Sequence, residues 1–592
     1  MIQKRTLQVL LLLQKLKAKY LNHQQFMIII SIVIGLATGL VAVLLKNLTF
    51  LFQSITERGG LAFYFIFPLL GLCLTYLVIK YFLKKEVGQG IVTTLYAISR
   101  KKGIIDKFQR FASLVTAPIT VGFGGSVGLE SPTVVTGAAI GSQLSRWFKL
   151  NQATRNLLIG CAAAGAMSSI FKAPIAGIIF AIEIFSLDLT LASMIPLLTA
   201  SVSAILTSYF FFGNELILQT VLEEKFKPSD VPFFILLGAF AALFSIYFTK
   251  IYFSVIRHFK RIQQKRKRML LGGLGLAVLV FFFPPLYGEG YDVINNLLQG
   301  NYNAALANSL FEAYAENIWI VIGILTFLVF VKIIATSLTV SAGGVGGIFA
   351  PVLFMGSVMG HAFALLINML PFIDKPISVT NFTLVGMAGL MAGVMSAPLT
   401  AIFLIAEITS GYELFIPLMI TAGIAYFVTN QFQPHSVYTM ELAESGDLIT
   451  HNKDQAVMTL MDIEQVIETN FVPIRYDMNL GEIVKQGVVQ SNRNIFPVLD
   501  EEESFLGVIL LDDIRGIMFD QEMYGGIFAT DVMVQAPEII DLDNCNIQGI
   551  MDKFQGSKAW NLPVIRNGKY IGFVSKSKLL TAYRQKLIEV SI

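Results

Sequence analysis

Charge is what this chain most lacks. Of its 592 residues only 14% are Asp, Glu, Lys or Arg, against roughly 25% in a soluble domain. With 55% apolar residues, that deficit excludes an ordinary soluble protein and reads as a polytopic membrane protein, with the lipid bilayer as its solvent. Cysteine is nearly absent: Cys73, Cys161 and Cys545 are far apart and two lie in apolar runs, which excludes a disulfide framework and any metal-ligand spacing. The apolar part has no paired catalytic acids, no His/Cys cluster and no nucleotide-binding loop. No catalytic residue and no metal site is therefore assigned, an enzyme is not expected, and neither is a nucleic-acid partner. No cleavable signal peptide is expected. Met1 to Tyr20 is basic and amphipathic, with Lys4, Arg5, Lys15, Lys17 and Lys19, so residues 1–24 read as a cytoplasmic surface segment.

What is present is long apolar sequence interrupted at particular places. Phe26 to Phe52 and Leu61 to Leu83 are each long enough to span, since about 20 residues cross the hydrocarbon core. Lys80, Lys84, Lys85, Arg100, Lys101 and Lys102 lie at or after the end of the second span and belong on the cytoplasmic side. A basic loop from Arg257 to Arg268 reads the same way. Apolar runs resume over 269–285, 317–340, 348–371 and 382–431. Both termini are expected in the cytoplasm of a multi-pass protein of the plasma or inner membrane.

From about 110 to 212 the apolar runs are short and broken by Gly and Pro, which points to a site near the bilayer midplane. The centre of this region is Gly124-Gly125-Ser126-Val127-Gly128-Leu129-Glu130-Ser131-Pro132. Its glycines allow a bend and a close approach to backbone N–H groups, and Pro132 suits the first turn of a helix. The small, apolar residues after it suit tight helix packing. The stretch predicts a broken helix whose N-terminus, rich in free N–H donors, forms an anion site. Glu130 stands at that end as a tethered anion; ordinary helix capping is the alternative.

The apolar region repeats. Ala173-Pro174-Ile175-Ala176-Gly177-Ile178-Ile179-Phe180-Ala181-Ile182-Glu183-Ile184 parallels Ala397-Pro398-Leu399-Thr400-Ala401-Ile402-Phe403-Leu404-Ile405-Ala406-Glu407-Ile408. Upstream of each lies a glycine-rich element ending in proline, at Gly128 to Pro132 and at Gly347-Ile348-Phe349-Ala350-Pro351. The fold expected is an α-helical polytopic membrane domain over 25–440, in two halves of about 25–215 and 230–435. The halves are read as inverted, with the site between them. Beyond it, residues 441–592 are richer in charge and contain no spanning run. Asn494 to Val498 with Phe505 to Ile509 parallels Asn561 to Val564 with Tyr570 to Val574, implying paired small α/β modules.

With these pieces the chain resembles the CLC chloride channels and chloride/proton exchangers, and its tail resembles tandem CBS modules. Gly88-Gln89-Gly90-Ile91-Val92 stands where that family has Gly-Ser-Gly-Ile-Pro, and Gly128-Leu129-Glu130-Ser131-Pro132 where it has Gly-Lys/Arg-Glu-Gly-Pro. Gly347-Ile348-Phe349-Ala350-Pro351 matches Gly-x-Phe-x-Pro throughout, and Tyr438 falls at the pore tyrosine. The resemblance implies a central chloride site lined by the N–H groups of Ile348 and Phe349 and the hydroxyl of Tyr438. It implies an outer site at Leu129, Glu130 and Ser131, with Glu130 as the gate, and Gln89 as an anion-binding residue whose amide can donate. It also implies a homodimer with one pore per subunit, and chloride as the bound ligand with no cofactor required.

Departures from the family pattern shape the mechanism. Gln89 and Val92 replace serine and proline, which leaves selectivity among chloride, nitrate and fluoride open. Leu129 replaces a basic residue and Ser131 a glycine. Where exchangers pair two acids, this chain has Glu183-Ile184. An isoleucine carries no proton, so Ile184 favours a channel, with a proton-coupled antiporter using another route as the alternative. Glu183 is read as a structural acid mirrored by Glu407. A CBS-containing divalent-cation transporter is a more remote rival, since hard cations need oxygen ligands and these motifs present N–H donors. For an adenine nucleotide, the first module offers Asp513 without the hydroxyl and the second Ser575 with Lys578 in place of the acid, so a structural role for the tail is preferred.

Overall fold

The computed structural model describes residues 20–56, 62–187, 190–213, 217–218, 225–305, 316–371, 375–409, 411–444, 458, 461 and 463–591. Residues 1–19, most of the expected amphipathic segment, lie outside the described residues. The chain divides into two compact units, Met1–Leu448 and Ile449–Ile592.

The first unit is helical. Its first half runs α1 (His23–Thr56), α2 (Ala62–Leu77), α3 (Gly90–Arg100), α4 (Gln109–Gly122), α5 (Glu130–Trp147), α6 (Gln152–Phe171), α7 (Pro174–Phe185) and α8 (Leu191–Phe212). The second runs α9 (Val231–Lys260), α10 (Lys265–Phe282), α11 (Tyr291–Leu298), α12 (Ile318–Ser341), α13 (Phe349–Asn368), α14 (Val379–Met395), α15 (Pro398–Ile408) and α16 (Phe415–Phe432). Seven of the described helices are long and apolar enough to cross a membrane.

The packing repeats with the sequence. Helix α1 packs on α8 as α9 does on α16, α5 on α6 as α13 on α14, and α4 on α5 as α12 on α13. Loop contacts are also paired. The N–H groups of Gly128 and Gly347 each donate to the other's carbonyl at 2.8 Å. Ser126 N–H donates to Thr339 Oγ1 at 3.2 Å while Val345 N–H donates to Thr120 Oγ1 at 3.1 Å.

The expected inversion follows from how α7 and α15 hold one another. Each starts with proline, so one donor is already absent, but the next N–H groups still need acceptors in a medium without water. Glu407, near the end of α15, accepts from Ile175 and Ala176 at 3.0 and 2.8 Å. Glu183, near the end of α7, accepts from Leu399 and Thr400 at 3.0 and 2.7 Å. Each helix thus caps the start of the other, which requires the two to run antiparallel. Glu183→Ala would strand these donors. A charge-assisted bond contributes about 1.5–3 kcal/mol, so thermal unfolding in detergent should show a loss of about 2 kcal/mol for Glu183→Ala and a similar one for Glu407→Ala. Unchanged midpoints would refute the capping role.

Three features go beyond the sequence expectations. The apolar run 382–431 is divided among α14, α15 and α16. The break comes at Ser396, in the left-handed region with φ 53°, followed by Ala397-Pro398, which cannot continue a helix. The first half breaks identically at Lys172, φ 55°, before Ala173-Pro174. Secondly, the 30-residue helix α9 was not among the expected spans. Thirdly, most of the basic loop is helix: Arg257 to Lys260 end α9 and Lys265 to Arg268 begin α10. Basic side chains at the end of α9 suit its dipole, and Lys265 pairs with Glu86 at 2.5 Å, holding that carboxyl below its ordinary range.

The second unit contains two sheets, in strand order β1-β7-β6-β5 and β2-β3-β4. Strands β3 (Ile495–Leu499) and β4 (Phe505–Leu510) form one antiparallel pair, β6 (Asn561–Arg566) and β7 (Lys569–Ser575) the other. Each pair is extended by a short parallel strand, β2 (Ile474–Arg475) on β3 and β5 (Ile540–Asp541) on β6. Strand β1 (Ile467–Glu468) precedes the first module in sequence but pairs with β7 of the second, so the modules share chain as well as an apolar contact among Phe471, Val508 and Phe573.

Candidate functional site

Two helix N-termini meet at the Gly128–Gly347 contact. Glu130 is the first residue of α5 and Phe349 the first of α13, and both helices are buried for nearly their whole length. The first-turn N–H groups of a helix have no acceptor within it. Two such ends, antiparallel and facing, therefore concentrate donors and positive dipole ends in one buried place.

The bend before α5 depends on glycine at two positions. Gly124 has φ +96°, and a Cβ there would lie 2.4 Å from the ring of Tyr287. A Cβ on Gly128 would lie 2.1 Å from Glu130 Oε2 and 2.9 Å from the Ala350 Cβ, so glycine is what leaves room for this carboxylate.

Glu130 has no solvent exposure. Its Oε1 accepts from the hydroxyl of Tyr291 at 2.5 Å. Its carboxylate faces its own N–H and that of Ala350, yet Oε2 closes no hydrogen bond. Tyr291 is held by an aromatic cluster: Phe171 lies 6.5 Å from its ring and 5.2 Å from Phe349, which also packs on Phe180. Tyr438 is buried, and its hydroxyl likewise has no partner. Its segment is anchored by Val437 N–H donating to the Val394 carbonyl at 3.2 Å.

The remaining sequence-predicted residues are placed as follows. Ile348 is the N-cap residue of α13. Gln89 is the N-cap of α3, and its side chain makes no capping bond. The Ser131 hydroxyl accepts from Ile91 N–H at 3.0 Å, tying α3 to α5. The Leu129 N–H donates to Glu289 Oε1 at 3.0 Å, so a side chain holds a donor expected for the outer anion. Ile184 is buried in the apolar core, and Glu183 points to α15 instead, also accepting from the Thr400 hydroxyl at 2.5 Å.

Sequence reasoning missed Tyr291, Glu289 and Lys332. The last is fully buried in α12; its ammonium donates to the carbonyls of Leu286 and Gly288, both at 3.3 Å, and lies 4.6 Å from the Phe354 ring centre. A lone lysine in a 24-residue apolar helix was a usable signal. Glu289 gave none, because Gly288-Glu289-Gly290 reads as a surface turn.

In the second unit, Asp513 is exposed. The Ser575 hydroxyl donates to Glu468 at 2.6 Å, and Glu468 also pairs with Arg493. Burial alone would raise the Glu468 carboxyl, but the Ser575 and Arg493 bonds outweigh it and hold it below the ordinary range. Lys578, where an acid would be needed, donates to the Ile467 carbonyl. The residues present do not fit a nucleotide site: its hydroxyl and cation are engaged within the protein.

The chain is similar to the H(+)/Cl(-) exchange transporter ClcA of Vibrio cholerae serotype O1 (strain M66-2), 32% identical over 310 residues, 51% of this chain and 62% of the relative. The ClcA of Vibrio vulnificus (strain YJ016) is 30% identical over 312 residues, with the same coverage. The chain thus spans about three-fifths of the length of these curated relatives. Among solved structures, a slow cyanobacterial Cl-/H+ antiporter aligns with TM-score 0.61 at 23% identity, over 72% of this chain and 98% of its own. A eukaryotic CLC transporter aligns with TM-score 0.56 at 18% identity, over 96% of this chain and 98% of its own. The CBS-domain model matches residues 463–520, and the voltage-gated chloride channel model matches 70–430. Three-fifths of the chain lies in that match: the chain belongs to the CLC family of voltage-gated chloride channels.

Proposed function

We propose that this protein moves chloride across a lipid bilayer between its two inverted halves, with Glu130 as the gate and with chloride flow not tightly coupled to protons. One observation carries the reading: at the junction of two facing helix N-termini, a carboxylate oxygen of Glu130 is buried without a hydrogen-bond partner. The Tyr438 hydroxyl, also unpaired, is read as belonging to the same pathway, where an anion would satisfy it. N–H and O–H donors suit a halide in transit because they attract it moderately at several points. In this reading the N–H groups of Ile348 and Phe349 with Tyr438 hold the central ion, Ser131 and Leu129 border the outer one, and Gln89 supplies an amide donor near the inner entrance. The first test is chloride efflux from liposomes containing the purified protein; no efflux above that of empty liposomes would end the proposal.

A finer test concerns Tyr438. A hydrogen bond to a charged group contributes about 1.5–3 kcal/mol, so Tyr438→Phe should weaken chloride binding by on the order of tenfold, read by calorimetry. Crystals grown in bromide should place anomalous density between Tyr438 and the first turn of α13. Unchanged affinity together with no such density would remove Tyr438 from the site.

Proton-coupled exchange is the second reading, favoured by the similarity to the Vibrio H(+)/Cl(-) exchange transporters. Ile184 and the engaged Glu183 weigh against it. The rest of the proposal is a homodimer with one pathway per subunit, both termini in the cytoplasm with the basic ends of α9 and α10, and a structural or dimer-stabilising role for the CBS pair.

A further inference from the structure

The loop between α10 and α11 brings a second carboxylate to the start of α5. Glu289 Oε1 accepts from the Leu129 N–H at 3.0 Å, one residue before Glu130. Two residues after Glu289, Tyr291 holds the Glu130 carboxylate. One short segment, Glu289 to Tyr291, thus places one acid on an outer donor and restrains the other acid. Glu289 keeps partial solvent exposure, whereas Glu130 has none. Glu289 thus sits at the edge of the buried region and Glu130 wholly inside it.

Simple capping does not account for the whole arrangement. Among the described residues Glu289 makes no ion pair within 4.0 Å, although Lys46 and Lys332 are near enough to act on it: Lys332 instead grips the carbonyls of Leu286 and Gly288 on the chain just before Glu289. The ammonium fixes the backbone of the loop and leaves the carboxylate held by a single N–H. A carboxylate on one donor, with a cation nearby that does not bind it, can leave that donor without stranding a paired charge.

We propose that Glu289 is a second tethered anion on the outer chloride site, in series with Glu130. A chloride entering from that side takes the Leu129 N–H from the Glu289 carboxylate, which swings toward solvent while Lys332 keeps the loop in place. This rests on the anion-transport reading above and adds to it a residue that sets the outer site's affinity. Occupation of a site by its own side chain reduces apparent affinity by the fraction of time the site is open.

The test is chloride binding by calorimetry at constant pH, with flux and thermal unfolding measured on the same samples. Glu289→Gln keeps the shape and an acceptor for Leu129 but removes the charge. It should tighten chloride binding by on the order of fivefold, and Glu130→Gln/Glu289→Gln should bind more tightly than either single variant. If Glu289 only braces the loop, Glu289→Ala lowers the unfolding temperature and Glu289→Gln leaves chloride affinity unchanged; that result overturns the proposal. A second measurement keeps Glu289 native: the infrared difference between chloride and gluconate in Glu130→Gln. A perturbed carboxylate band supports displacement of Glu289, and no carboxylate change overturns it. If wild-type protein neither binds nor passes chloride, the transport reading has failed; if it does both while Glu289→Gln behaves as wild type, only the second gate has failed.

Discussion

In Glu130→Gln the ratio of chloride flux at acidic pH to flux at neutral pH should fall to near one, whereas the wild-type protein should pass chloride faster in acid. The sign follows from competition. Ionised Glu130 presents a carboxylate to the same helix-end donors that a chloride would use, so anion and side chain exclude one another. Protonation removes the charge, and the side chain loses its claim on those donors. Flux therefore rises as pH falls through the range in which Glu130 takes up its proton. Glutamine keeps the length, and its carbonyl can still accept from the Tyr291 hydroxyl, so local packing is largely kept. It has no proton to exchange at these pH values, so the dependence disappears while transport persists at the acid-like level. The effect is large because Glu130 is enclosed: with no exposure, no water competes for its oxygens. Proteoliposome efflux at two pH values reads the ratio. A folded Glu130→Gln protein with the wild-type ratio would show that the gate is elsewhere.

How much of this was legible in the sequence depended on whether the signal was periodic. The two Ala-Pro helices are visible because proline fixes their starts and glutamate recurs near their ends at the same spacing. What that glutamate does was only half visible. Each caps the helix of the opposite half, a contact no local pattern encodes. The Gly-x-Phe-x-Pro element marked α13, and Glu130 stood out as an acid in an apolar stretch. Ser396 and Lys172 break their helices in the left-handed region without being glycine, so proline marked where α15 and α7 start but nothing marked where α14 and α6 end. Glu289, Tyr291 and Lys332 were missed for a shared reason. Their importance comes from the α10–α11 loop folding back against the start of α5, a contact between residues about 160 positions apart. Ser575 was identified by its type, but its hydroxyl is already given to Glu468, and the type alone does not reveal that.

A chloride gradient across sealed liposomes, with the membrane potential clamped, should drive no sustained uphill proton movement through this protein. Coupling requires protons to travel between Glu130 and the far side, and the position that serves this in exchangers of the family is Ile184, buried among apolar side chains. A charge crossing an apolar region of a membrane protein without a carrier costs about 3 kcal/mol or more, which slows its passage by on the order of a hundredfold. The neighbouring acid does not repair the gap. Successive helix residues point about 100° apart, and Glu183 is turned to α15, where its oxygens accept from the Leu399 and Thr400 N–H groups and the Thr400 hydroxyl. Withdrawing it would uncap α15 in a medium that offers no replacement acceptor. Tyr291 and Glu289, which lie at the start of α5 beside Glu130, supply no acid at position 184. On the proposed reading, Glu130 exchanges protons with one side and makes flux pH-sensitive without the flux being proton-driven. Proton uptake against its gradient, driven by chloride and abolished in Glu130→Gln, would overturn this and would require a file of water molecules running past Ile184 to Glu130.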